Sequence, residues 1–121
     1  MKNIAKRAAA LLCVVMILSS ILMVPASAAN ASFYNKGPIE TKKKSIAFSF
    51  SGYGIDYAKC VRYDANAPKV DSFNVEWAAP GKTCTGTLEL SGGKRGTYQY
   101  DIGLYSDSSG MLATLWVFVT V

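Results

Sequence analysis

Three cysteines, eight carboxylates and no histidine define the chemistry open to this 121-residue chain. Without histidine there is no Ser-His-Asp triad, no Cys-His dyad and no His-ligated zinc or copper centre. Cys13 lies in an apolar N-terminal stretch, which leaves Cys60 and Cys84. In an oxidising compartment, two such residues in a small domain read as one disulfide, and no thiolate then remains for nucleophilic or metal chemistry. The chain-entropy account gives a link of this span roughly 3–4 kcal/mol. The alternative is a pair of free, buried thiols. A glycosidase needs only two carboxylates about 5–10 Å apart in a cleft. Asp56, Asp64, Asp71, Glu76, Glu89 and Asp101 show no spacing that pairs them. Asp64-Ala65-Asn66 and Asp107-Ser108-Ser109 lack the dense oxygen spacing of a calcium loop and fit Asx-type turns better. Gly92-Gly93-Lys94-Arg95 opens no helix, so it reads as a turn and not as a phosphate-cradling loop. The expectation is a non-enzymatic protein that uses no cofactor and no metal.

These residues follow an export signal. Lys2, Lys6 and Arg7 form a positive start, residues 8–24 are uncharged and apolar, and Pro25 breaks the helix. Ala26-Ser27-Ala28 then offers the small residues that signal peptidase requires. The reading is a signal peptide over 1–28 and a single domain over 29–121, secreted to the extracellular space from a Gram-positive bacterium. An uncleaved anchor competes with this, because residues 8–24 are at the short end of a spanning helix. The A-x-A motif directly after proline favours cleavage, which leaves no stable membrane anchor. A lipoprotein signal does not fit, since Leu12 precedes Cys13 where a small residue is needed. Removing Lys2, Lys6 and Arg7 from the formal charge of +5 leaves about +2. That is solubility charge and excludes a nucleic-acid partner. Lys42-Lys43-Lys44 is the remaining charge run. It could touch an anionic wall polymer or lipid headgroups, or it is a solvated approach to a strand whose lysines guard a sheet edge.

The elements that position these groups are strands. Residues 44–51 alternate Ile46, Phe48 and Phe50 against serine and alanine. Further strands cover 56–63, 70–77, 83–90, 96–105 and 111–121, separated by clusters of Gly, Pro, Asn, Asp and Ser. A short strand near residues 32–35 would make a seventh. Six or seven short strands in one small domain argue for an all-β fold, a small antiparallel β-sandwich.

The C-terminal residues add a resemblance. Gly96-Thr97-Tyr98-Gln99-Tyr100-Asp101-Ile102-Gly103-Leu104, Asp107-Ser108-Ser109-Gly110 and Ala113-Thr114-Leu115-Trp116-Val117-Phe118-Val119-Thr120-Val121 together resemble the last hairpin of immunoglobulin-like and PKD-type bacterial β-sandwiches. Gly86-Thr87-Leu88-Glu89-Leu90 is similar to their E strand. The resemblance implies an Ig-like Greek key, with Tyr98 as the tyrosine corner between strands E and F. It carries no function. The chain departs from antibody domains in three ways. Tyr100 stands where the second cysteine would be, Cys60 and Cys84 would join strands C and E, and Trp77 falls on strand C′ and not on C.

One strand is too apolar for a single wet face. Met111, Ala113, Leu115, Val117, Val119 and Val121 look like core, which sends Leu112, Thr114, Trp116, Phe118 and Thr120 outward, where alternation calls for polar residues. Matching the hairpin places Tyr105 near Leu112, Asp101 near Trp116 and Gln99 near Phe118, with Gly103 leaving a shallow dip. If Cys60 points inward, Tyr57, Val61 and Tyr63 join this face in an order G–F–C–C′. Three explanations compete. The N-terminal segment with Phe33 and Tyr34, or the loop around Tyr53, covers the face. A protein partner or a second copy uses it. Or a sugar stacks on Trp116 and the tyrosines, helped by Asp101 and Gln99. A slip of one residue would void all three. The candidate binding residues are Trp116, Phe118, Tyr105, Leu112, Tyr57 and Tyr63. The function expected is a secreted binding or interaction module, with a small effector such as a bacteriocin-like toxin or an enzyme inhibitor, or a glycan-binding module, as alternatives.

Overall fold

The computed structural model describes residues 29–121, so the expected signal segment and Cys13 lie outside the described residues. The strands are β1 (Asn30–Phe33), β2 (Ile39–Thr41), β3 (Ser45–Tyr53), β4 (Tyr57–Arg62), β5 (Lys69–Glu76), β6 (Cys84–Ser91), β7 (Thr97–Ser106) and β8 (Gly110–Thr120). They form two four-stranded sheets in the orders β1-β3-β6-β5 and β2-β8-β7-β4. Alternation identifies all six long strands, and β1 overlaps the short strand expected near residues 32–35 but starts two residues earlier. β2 has no counterpart in the sequence pattern. It lies parallel to β8, with Ile39 opposite Val117 and Thr41 opposite Val119, so the fold is not purely antiparallel. β3 runs on to Tyr53, through the turn expected at residues 51–54, because β1 pairs with it from Asn30 opposite Tyr53 to Phe33 opposite Phe50.

β5 departs from the expected neighbour order. It does not lie beside β4 but pairs with β6 in the other sheet, with Phe73 opposite Leu88 and Val75 opposite Gly86. The cause is the connection between β4 and β5, which crosses from one sheet to the other. Asp64 accepts the Asn66 N–H at 2.8 Å in an Asx turn. Arg62 Nη2 donates to the carbonyls of Ala65 and Ala67, each at 2.9 Å. Ala67 and Pro68 are buried under this bend. The chain then enters β5 with Phe73 stacked on Phe48 at 5.7 Å between ring centroids.

The two sheets share one core. Ile46, Phe48, Phe50, Leu88 and Leu90 come from one sheet; Tyr100, Ile102, Leu104, Leu115, Val117 and Val119 come from the other. The phenylalanines interlock: Phe48 stacks on Phe50, and Phe33 meets both rings edge-on. Trp77 follows β5 and touches Phe50 edge-on at 5.6 Å, with 49% of its surface exposed. Tyr100 is fully buried and donates from its hydroxyl to the Pro68 carbonyl at 2.5 Å. A buried phenol needs such a partner, and this one ties the β4–β5 crossing to the centre of β7. Burial pushes the Tyr100 phenol above its ordinary pKa.

The expected disulfide between Cys60 and Cys84 is not formed, and both thiols are free. Cys60 stands in the middle of β4 opposite Ile102. Cys84 begins β6 in the other sheet, opposite Phe50, where its sulfur accepts the Ala78 N–H at 3.3 Å. Both residues turn toward the interior, but from different sheets and different levels of the stack, and a disulfide needs Cα atoms within about 7 Å. Burial, with the Asp101 carboxylate adding to it, raises the Cys60 thiol to about 11. Cys60 is therefore a packing residue and a poor nucleophile at neutral pH.

Two outcomes follow from this packing. Unfolded protein kept from reductant should react with Ellman's reagent at both Cys60 and Cys84, and reductant should leave the melting temperature unchanged. A melt lowered by reductant would contradict the free-thiol state. Tyr100→Phe leaves the buried Pro68 carbonyl unpaired and should cost about 1–3 kcal/mol in urea denaturation.

Candidate functional site

The outer face of the sheet β2-β8-β7-β4 is set by the period of two residues along each strand. β7 and β8 pair with Gln99 opposite Phe118, Asp101 opposite Trp116 and Gly103 opposite Thr114. β4 continues these rows with Val61 opposite Asp101, Lys59 opposite Gly103 and Tyr57 opposite Tyr105. The inward parity is occupied by Ile102, Leu104, Leu115, Val117 and Val119, so Trp116 and its neighbours have only the outer face. Of the large apolar side chains here, Trp116 is 50% exposed, Tyr57 43%, Tyr63 63% and Met111 57%.

The register corrects one expected pair. A bulge between Leu104 and Tyr105 takes Leu112 out of step, and Tyr105 faces Met111 instead. Leu112 is half-buried within that bulge. The shallow dip expected at Gly103 is also filled. The Tyr105 ring lies over Gly103 so closely that an added Cβ would come within 2.6 Å of the ring's Cε2. A glycine within a strand often marks such a close approach. Tyr57 stacks on Tyr105, with centroids 5.0 Å apart and planes 5° from parallel. Lys59 sets its Nζ 4.9 Å from the Tyr105 centroid, an attraction between cation and ring face. Lys59 is the member of this face that the sequence reading omits, although its place between Tyr57 and Val61 on β4 carried the signal.

Asp101 is the polar centre of the face. Its Oδ1 accepts the Gln99 side-chain amide at 2.8 Å, and its Oδ2 accepts the Tyr63 hydroxyl. The Tyr63 phenol is held above its ordinary pKa, first because ionisation would break that donated bond and then through burial and the carboxylate's charge. The carboxylate thus anchors the Tyr63 hydroxyl, and each of its oxygens already has a partner from this chain.

Among the described residues, the N-terminal ones do not cover this face. Phe33 packs into the core against Phe48 and Phe50. Tyr34 shares a hydrogen bond with Thr83 at 3.2 Å on the other sheet, and the Tyr53 ring lies against Gly81. What borders the face is a groove of about 330 Å³ between Trp116 and Thr114 on one side and Asn35, Gly37 and Pro38 on the other. The Asn35 Oδ1 is buried there without a hydrogen-bond partner.

The carboxylates considered for acid chemistry are dispersed. Asp71 accepts the Ser91 hydroxyl at 2.9 Å and Glu89 accepts the Ser45 hydroxyl at 2.7 Å. Asp56 accepts the Asp107 N–H at 2.6 Å near the opposite end of the sheets. Among the described residues no group of three or more His, Cys, Asp or Glu converges. No protein-family model matches the chain, and no curated protein matches it.

Gly103→Ala should force the Tyr105 ring off the sheet, cost about 1–3 kcal/mol as an overpacking change, and reduce the near-ultraviolet circular dichroism of the Tyr57–Tyr105 stack. Asp101→Ala should lower the ionisation range of Tyr63, read as phenolate absorbance during an alkaline titration. An unchanged titration would mean that the Tyr63–Asp101 bond does not persist in solution.

Proposed function

We propose that this chain is a secreted, non-catalytic binding module that engages a protein partner or a second copy through the outer face of the sheet β2-β8-β7-β4. What carries the reading is the exposure of Trp116 among Tyr57, Tyr63 and Met111 on a face that no described part of the chain covers. Exposed aromatic surface of this extent is costly in water and is the composition of interface centres. The aromatics are also pre-positioned. Tyr63 is held by Asp101, and Tyr105 is contacted by both Tyr57 and Lys59, so little side-chain freedom is lost on association. A flat face suits a protein surface better than a single sugar ring.

In this reading the domain is an Ig-like Greek key that is released when a signal peptidase removes residues 1–28. The orders β1-β3-β6-β5 and β8-β7-β4 correspond to the ABED and GFC sheets of constant-type immunoglobulin domains. Tyr98 near the start of β7 donates from its hydroxyl to the Arg95 carbonyl at 3.4 Å, in keeping with a tyrosine corner. Where antibody domains link strands B and F by a disulfide, Tyr100 and the phenylalanines of β3 fill the layer.

The test is light scattering on the protein as the cell releases it, combined with cross-linking to partners, for wild type and for Trp116→Ala and Tyr63→Ala. Each variant should weaken self-association or partner capture by roughly tenfold or more and melt within a few degrees of wild type. If Trp116→Ala unfolds the protein, or alters no association, the face is not an interface. Mass spectrometry of the released protein should find Ala29 at its N-terminus; an intact Met1 would favour an anchor.

A further inference from the structure

The cations of the domain gather at one end. Lys42, Lys43 and Lys44 connect β2 to β3 and are exposed. The Leu90 N–H donates to the Lys44 carbonyl at 2.7 Å, which sets this run beside the end of β6. Lys69 opens β5 opposite Ser91. Lys94 and Arg95 lie in the connection from β6 to β7, where the Lys94 N–H donates to the Asn66 carbonyl at 2.8 Å. Arg62 ends β4 at the same level. Of the Lys and Arg among residues 29–121, only Lys36, Lys59 and Lys82 lie elsewhere. The opposite end carries Asp56, Glu76 and Asp107 against Lys82, so the domain is electrically polarised along its strands.

Two further observations mark the cationic end as a place for a ligand. First, three of its acids are engaged by uncharged donors, while Glu40, two residues before Lys42, stands exposed. Asp64 takes the Asn66 N–H, Asp71 the Ser91 hydroxyl and Glu89 the Ser45 hydroxyl. Second, the end is concave. A groove of about 470 Å³ runs between the β4–β5 connection and the β6–β7 connection, with Arg62, Lys69 and Lys94 along it and Asn66 and Gly92 in its wall. Gly92 and Gly93 both hold positive φ, at 72° and 93°, so the wall there is bare backbone. Nothing lies within 4 Å of where a Gly92 Cβ would be. Gly93 packs against Pro68, where an added Cβ would come within 2.7 Å of the ring. The bond from Lys94 to Asn66 ties the two walls together, so the groove is formed before any ligand arrives.

We propose that this groove and the adjoining lysine run bind a linear polyanion carrying repeated phosphate groups. Lysine offers a point charge with rotatable donors, which suits phosphate oxygens without demanding one geometry. Charges spread from the groove across to Lys42–Lys44 suit a ligand with several phosphates in a row better than a single ion. No aromatic side chain lines the groove, so recognition is of the charged backbone and not of stacked bases. A concave seat whose lining includes no large apolar side chain favours a polymer strand over a bilayer surface.

The probe is inorganic polyphosphate, titrated against the intact released protein at several salt concentrations, with phosphatidylglycerol vesicles as a separate arm. Binding should weaken steeply as salt rises, because each neutralised phosphate releases counterions. Lys69→Glu combined with Lys94→Glu should lower affinity by roughly tenfold or more and flatten the salt dependence. Lys36→Glu combined with Lys82→Glu makes the same change in net charge and should do much less. The proposal is overturned if the two double variants lose affinity equally, if polyphosphate does not bind at low salt, or if only the vesicles bind. Melting curves that match wild type for both double variants exclude unfolding as the cause of any loss; should either unfold, the single charge-removing changes Lys94→Gln and Lys82→Gln give the same comparison.

Discussion

The pairing of β7 with β8 is the constraint on which the rest of this molecule depends. Their register runs from Thr97 opposite Thr120 to Ser106 opposite Gly110. Because side chains alternate with a period of two, seating Tyr100, Ile102 and Leu104 against the other sheet commits Gln99, Asp101, Gly103 and Tyr105 to the solvent side. The same parity on β8 buries Leu115, Val117 and Val119 and leaves Trp116 out. Core and candidate surface are therefore not separate features. A slip of one residue would exchange them, placing Asp101 in the interior and Ile102 in water. The bulge at Leu112 limits this coupling to the part of the hairpin that backs the core.

Tyr100 extends the constraint to the second sheet. It is placed by β7, yet its hydroxyl reaches the Pro68 carbonyl in the crossing between sheets. A large buried side chain with one polar end can do this, where a phenylalanine of similar bulk would leave the carbonyl unpaired. The crossing, held also by Arg62, then delivers β5 to the far side of β6. In this small domain, one phenol and one guanidinium do the fastening that the cysteine count suggested a disulfide would do.

Much of the fold was legible in the sequence, because long alternating runs with apolar residues on one parity are hard to mistake. The core faces of β3, β6, β7 and β8 follow from Ile46, Phe48, Phe50, Leu88, Ile102 and Val117 alone. What was not legible depends on partners and not on pattern. β2 has three residues between Pro38 and a lysine run, too few for alternation to register, and it exists because the flank of β8 gives it parallel hydrogen bonds. The placement of β5 could not be read because alternation identifies a strand but not its neighbour. Composition and compartment point to a Cys60–Cys84 pair but say nothing about level within the stack. On the outer face, Trp116, Phe118, Tyr105, Tyr57 and Tyr63 were recoverable from parity. The covering of Gly103 by Tyr105 was not, because it requires knowing that Tyr57 and Lys59 lie close enough to hold that ring down.

The parallel run of β2 beside β8 has a mechanical meaning. β2 lies near the start of the described chain and β8 at its end, and the two point the same way. Tension drawn through the two ends would pull them in opposite directions along their common axis. The hydrogen bonds between Ile39–Thr41 and Val117–Val119 would then be loaded side by side in shear, and not peeled one at a time as in an antiparallel hairpin opened from its free end. Three residues of strand, of which Ile39 also packs against the core, would then act as a latch against stretching, and resistance to force in this domain would rest on its least conspicuous element.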